Sequence, residues 1–145
     1  MAPRVMTVSG PIPPDKVGFA LPHEHTGISL WHIANRWDYW ELTPDDDLIV
    51  DELRDFRRRG GATMVDLTLP GVGRDPGRLR RLAGASGLNI VMGAGWYREA
   101  YYPAELLVDR RSVDDLAAEI VAEFADGVAG SGIRPGIIGE IGTDK

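Results

Sequence analysis

The chain has 145 residues, a formal net charge of −6, 43% apolar and 26% charged residues, and no cysteine. That balance suits one soluble globular domain over 1–145 with no internal boundary, and it excludes disulfides and thiolate ligands. The arginines form only short clusters, at 57–59, 78/80/81 and 110–111, so the basic face of a nucleic-acid binder is missing and no nucleic-acid partner is expected.

Val5–Val8 alternates weakly as a strand and meets the breaker cluster Gly10-Pro-Ile-Pro-Pro14. A second strand over Val17–Leu21 leads into His23 and His25. No apolar run in Met1–Pro14 resembles a leader, and no stretch reaches the ~18 apolar residues of a membrane span. The expectation is a cytoplasmic chain with no membrane partner. Residues 26–46 form a long connection carrying Trp31, His32, Trp37, Tyr39 and Trp40. Connections of that length are functional or contain their own short helix. The tryptophans there either line a pocket or cover the mouth of the fold, and His32 reads as packing or rim.

Thr43 and Pro44, followed by Asp45–Asp47, read as a helix start, with a capping hydroxyl, a proline in the first turn and acids at the positive dipole end. This helix runs through Leu48, Ile49, Leu53 and Phe56 to Gly60-Gly61. A strand follows over Ala62–Leu69. A helix opens at Asp75-Pro76 and ends near Gly87, and Asn89–Gly95 is another strand. Ser112 caps an amphipathic helix with Val113, Leu116, Ala117, Ile120, Val121 and Phe124 at three-to-four spacing. Gly130–Gly132 breaks it, and Gly136–Gly142 reads as the fourth strand of the alternating series. Strands alternating with helices imply an α/β fold with a parallel sheet.

In such a sheet all strands point one way, so residues at strand ends gather on one face. His23 and His25 end the first strand, Asp66 and Thr68 sit late on the second, Trp96 and Tyr97 follow the third, and Glu140 falls on the fourth. Alternate strand residues share a face, so the two imidazoles point together and make half a metal site. Imidazole and carboxylate suit Zn, Mn or Co, and a carboxylate can bridge two ions. An isolated His-x-His is structural or solvated in many proteins; Glu140 at a strand end tilts the balance toward a metal. Asp66 reads as a turn cap or an arginine partner rather than a ligand. Tyr97 reads equally as packing or as substrate contact.

Leu21-Pro-His-Glu-His25, the segment from Val65 to Asp75, Asn89–Tyr97 and Gly136–Thr143 together resemble the phosphotriesterase family of the amidohydrolase superfamily, as does the opening Val5–Ile12. The resemblance runs from about residue 5 to the end and implies a (β/α)8 TIM barrel, of which this chain supplies roughly the first four strands. A whole barrel needs ~250 residues. It further implies a centre of two divalent ions, zinc foremost with Mn, Co or Fe as alternatives, and hydrolysis of ester, lactone or organophosphate triester bonds by a metal-bridging hydroxide. Carried over by position, His23 and His25 match the first-strand metal pair. Many members place a carboxylated lysine on the fourth strand where this chain has Gly139. A branch with Gly-Ile-Ile-Ala-Glu-Ile-Gly uses the glutamate instead, which assigns the bridge to Glu140. Tyr97 matches a tyrosine that faces metals and substrate, and Lys145 lies too far past the strand to bridge.

The family's remaining ligands, two histidines and an aspartate that also shuttles the proton, have no counterpart in these 145 residues. The expectation is therefore an enzyme half, inactive alone, acting in the whole protein on a small ester or lactone. Two other readings stay open. One is a non-catalytic half-barrel that binds metal or pairs with another chain, a homodimer included. The other is a related metal nuclease, disfavoured by the acidic balance.

Overall fold

A computed structural model of the protein describes residues 2–30, 41–42 and 45–143. Strand β1 (Val5–Thr7) pairs antiparallel with β2 (Gly10–Ile12) as a separate two-stranded hairpin. Four parallel strands then follow in sequential order: β3 (Phe19–Glu24), β4 (Gly61–Asp66), β5 (Asn89–Ala94) and β6 (Ile137–Ile138). Helices α1 (Asp46–Arg58), α2 (Pro76–Ser86) and α3 (Val113–Asp126) connect them. Each strand is joined to its neighbour through a helix, and the order β3-β4-β5-β6 is that of the first half of a (β/α)8 barrel.

The opening differs from the sequence reading. Gly10-Pro11-Ile12 is not only a breaker but a strand folded back on β1, turned by Gly10 at φ +117° and held by the Thr7 hydroxyl donating to the Gly10 carbonyl at 2.7 Å. Pro11 is tolerated because a two-stranded ribbon is all edge. The hairpin is fastened to the sheet end where Val8, fully buried, donates its amide to Ile90 at 2.8 Å.

The helix starts are local chemistry. Asp75 accepts from the Arg78 amide at 2.9 Å with Pro76 in the first turn, and Ser112 accepts from the Asp115 amide at 3.0 Å. Helix α1 is capped by Asp45, which accepts from Leu48 at 3.1 Å; the expected cap at Thr43-Pro44 lies outside the described residues. Gly87 at φ +74° ends α2 in the left-handed conformation that glycine takes without cost. Gly61 opens β4 where the chain passes under α1: a Cβ there would lie 2.4 Å from the Phe56 ring.

One core cluster fills the space between α1, α2 and the sheet, with Leu53, Met64, Leu79, Leu82, Ile90 and Met92 all buried. A second gathers where the strands end, from Ile28, Leu69, Val72, Trp96 and Tyr102. Helix α3 departs from its sequence pattern. Val113 and Val121 are 82% and 67% exposed, whereas Glu123 is buried. The Glu123 carboxylate meets Arg74 through two hydrogen bonds, Nη1 to Oε2 at 2.8 Å and Nη2 to Oε1, and Arg74 also donates to the Gly93 carbonyl at 3.2 Å. An ion pair, besides Leu116 and Ile120, ties this helix to the sheet. At the outer strands Phe19, Ile138 and Ile141 remain exposed.

Candidate functional site

His23 stands on β3, and His25 lies one residue beyond its end. The β3–β4 register slips between Leu21 and Glu24, pairing Leu21 with Met64 but Glu24 with Asp66, so one extra residue bulges just where the histidines emerge. On the far side of the sheet, pairing stops at Ile138, opposite Ala94. Gly139 still donates to the Ala94 carbonyl at 2.7 Å, but its φ of +150° takes the chain out of the regular pleat. Glu140 thereby faces the histidines instead of following strand alternation outward.

The Glu140 carboxylate spans the two imidazoles. Oε2 is 3.5 Å from His23 Nε2 and Oε1 is 3.7 Å from His25 Nε2. The rings meet edge to face, with centroids 5.4 Å apart. One donor atom from each of the three residues lies within 4.8 Å of the others. Ligands held at ~2.0–2.1 Å by a tetrahedral ion stand about 3.3 Å from one another, so this donor set needs only small side-chain shifts to hold one. Two neutral imidazoles and a carboxylate are also the chemistry that Zn, Mn, Co and Fe accept.

The two histidines differ in setting. The His23 side chain is 52% exposed; that of His25 is 19% exposed, and its Nδ1 lies 3.0 Å from the Thr68 hydroxyl. Of the two sequence readings of Asp66, turn cap or arginine partner, its contacts are those of a cap. Its buried carboxylate accepts from the Thr26 amide at 2.8 Å, the Thr26 hydroxyl at 2.7 Å and the Thr68 amide at 3.0 Å.

Beside the three donors opens a cavity of about 220 Å³, lined by His25, Glu140, Tyr97 and Tyr101 and by the apolar side chains of Ile28, Leu30, Leu69 and Val72. Tyr97 reaches it from the turn after β5. Its ring stands edge-on to Tyr101 at 5.1 Å and is crowded from below by Gly142, where a Cβ would fall 2.4 Å from the ring. The Tyr97 amide donates to the Tyr102 hydroxyl. Burial pushes the Tyr102 phenol above its usual pKa, and the Tyr97 amide bond opposes this only in part. Trp31, His32, Trp37, Tyr39, Trp40 and Lys145 lie outside the described residues.

Sequence reasoning did not single out Tyr101, Tyr102 or the role of Thr68. The sequence marks Thr68 only as a hydroxyl two residues after Asp66, just past the end of β4; its partner comes from the fold. Among the described residues no helix is long and apolar enough to cross a membrane.

Comparison with known proteins agrees with this fold. N-acetyltaurine hydrolase of Danio rerio is 32% identical over an alignment of 168 residues, covering 97% of this chain and 48% of that protein. A resiniferatoxin-binding protein from Rhodobacter sphaeroides superposes with a TM-score of 0.86 at 36% identity, over 96% of this chain and 46% of its own. Organophosphorus hydrolase from Deinococcus radiodurans gives 0.77 at 30% identity, over 93% and 42%. The chain thus spans about half the length of the relatives it matches. The model of the phosphotriesterase family matches residues 3–145, nearly the whole sequence, so the four strands with their histidine–glutamate cluster are half of that barrel and the chain belongs to the phosphotriesterase family.

Proposed function

We propose that this chain carries one half of the active centre of a metal-dependent hydrolase, with His23, His25 and Glu140 as metal ligands and Tyr97 as a substrate contact. The observation that carries the reading is the span of the Glu140 carboxylate across both imidazoles, at 3.5 and 3.7 Å. Two divalent ions are proposed, bridged by Glu140, with zinc first and Mn, Co or Fe as alternatives. When bound, such ions lower the pKa of water toward 7 and polarise the bond under attack. The chain's own residues hold the ion ligands on strand ends, keep the neighbouring cavity apolar, and bring the Tyr97 ring to its wall. The proposed substrates are small esters, lactones or organophosphate triesters. The name of one relative, a hydrolase of N-acetyltaurine, adds amides to the panel worth assaying.

In the isolated chain no meaningful turnover is expected, because this half holds three candidate ligands and no aspartate in contact with them to carry the proton among the described residues. The test loads the purified chain with Zn²⁺ or Mn²⁺ and measures bound metal by mass spectrometry, beside Glu140→Gln and a His23→Ala/His25→Ala double variant. Metal retained by the parent chain and lost from both variants supports the reading. A parent chain that retains none refutes it, and lactone hydrolysis by residues 1–145 alone would refute the assignment of half a centre.

A second reading, a non-catalytic half-barrel that pairs with another chain, is favoured by one observation. Phe19 on one outer strand and Ile138 and Ile141 at the other are 69%, 59% and 55% exposed. Sedimentation of the purified chain tests it, since a stable dimer would cover these side chains.

A further inference from the structure

The hydroxyl of Thr68 is itself buried, and it faces His25 Nδ1 at 3.0 Å on the side of the ring away from Glu140. The Thr68 main chain is held in place, and the residue is only 2% exposed. Its amide donates to one oxygen of Asp66, and the other oxygen of that buried carboxylate takes both the amide and the hydroxyl of Thr26, the residue after His25. Arg78 Nη1 closes the same loop from the other side by donating to the Thr26 carbonyl at 3.0 Å. One carboxylate therefore fixes both the backbone that carries the imidazole and the backbone that carries the hydroxyl touching it.

A neutral imidazole has one N–H and one lone pair, and whichever nitrogen holds the proton cannot ligate a cation. We propose that Thr68 is a positioning residue for His25: its hydroxyl accepts the Nδ1–H and so presents the Nε2 lone pair toward Glu140, making His25 the anchoring ligand and the exposed His23 the adjustable one. This rests on the reading of His25 as a ligand, and it adds what selects the tautomer and which histidine dominates. A partner on the far ring nitrogen stabilises the ligating tautomer and removes rotational freedom that the ion would otherwise have to freeze. The His25 side chain, 19% exposed, gains most from such a partner because water reaches it poorly.

The experiment measures Zn²⁺ affinity of the 145-residue chain by chelator competition for the parent, Thr68→Val and Thr68→Ser, with long-range ¹H–¹⁵N NMR of His25 in the zinc-loaded parent. The valine keeps the volume and removes the hydroxyl; the serine keeps the hydroxyl. Expected are a loss of about tenfold or more for valine, serine within about threefold of the parent, and a proton on His25 Nδ1. Equal affinity for the parent and the valine variant, equal losses for valine and serine, or zinc on Nδ1 would each overturn the proposal. A parent chain that takes up no zinc refutes the ligand reading itself, and the proposal with it. A zinc-loaded parent with an unaffected valine variant refutes only the role of Thr68. Should the valine variant lack a cooperative melt, the tautomer in the parent and the serine affinity decide.

Discussion

Replacing Glu123 by alanine strips the Arg74 guanidinium of its carboxylate in a place where water cannot take over. The two side chains are 10% and 4% exposed, and the pair is bidentate. Arg74 would keep its bond to the Gly93 carbonyl at 3.2 Å, which leaves most of its donors unmatched. Removing one member of a buried pair costs about 3–5 kcal/mol, because the surviving charge keeps its desolvation penalty and loses its compensation. For a chain of this length about 3 kcal/mol lowers the melting temperature by roughly 10 °C. Urea unfolding followed by circular dichroism should show Glu123→Ala at the low end of that range or worse. The double variant Arg74→Met/Glu123→Leu should recover most of the loss, since an apolar pair of similar volume has no charge to desolvate. By contrast, Asp55→Ala, which breaks the exposed pairs to Arg58 and Arg59, should change little. A Glu123→Ala loss below about 1 kcal/mol, or a double variant as unstable as the sum of the singles, would refute the argument from burial.

Three further outcomes are expected. His25→Ala should weaken zinc binding several-fold more than His23→Ala, measured by chelator competition, because His25 is the less exposed and the one held by Thr68. Tyr102, whose pKa is raised chiefly by burial, should ionise above the ordinary phenol range in an absorbance titration, and Tyr102→Phe should remove that late step. The sign follows: the folded state holds this proton more tightly than the unfolded one, so the contribution is whole below pH ~10 and is lost as pH climbs through the raised folded value. Gly61→Ala should cost about 1–3 kcal/mol in a denaturant melt by driving a methyl into the Phe56 ring, and Phe56→Leu in the same chain should return part of it.

The parts legible in the sequence are those whose causes lie within a few residues. Asp75 with Pro76, Ser112 with Asp115, and Gly87 each act on the neighbouring turn, so two helix starts and one helix end could be read directly. The alternation of helix and strand, and the apolar runs at 62–69 and 89–95, imply the parallel sheet for the same reason. His23 and His25 were legible as a pair because strand geometry alone makes alternate residues share a face.

Other features depend on partners that the local pattern cannot name. Whether Gly10-Pro11-Ile12 breaks the chain or pairs depends on β1 being free to receive it. The three-to-four spacing in α3 marks Val113 and Val121 as apolar but cannot say which surface lies opposite; Glu123 turns inward because Arg74, 49 positions earlier, is there to meet it. The site shows the same division. Residue types determined what chemistry was available at 23, 25 and 140. Only the folded chain, through the slip at the end of β3 and the departure from the pleat at Gly139, decided that a carboxylate 115 positions away from His25 would lie across both imidazoles. Thr68 belongs wholly to that second class, since a hydroxyl acquires a role only from what the fold places against it.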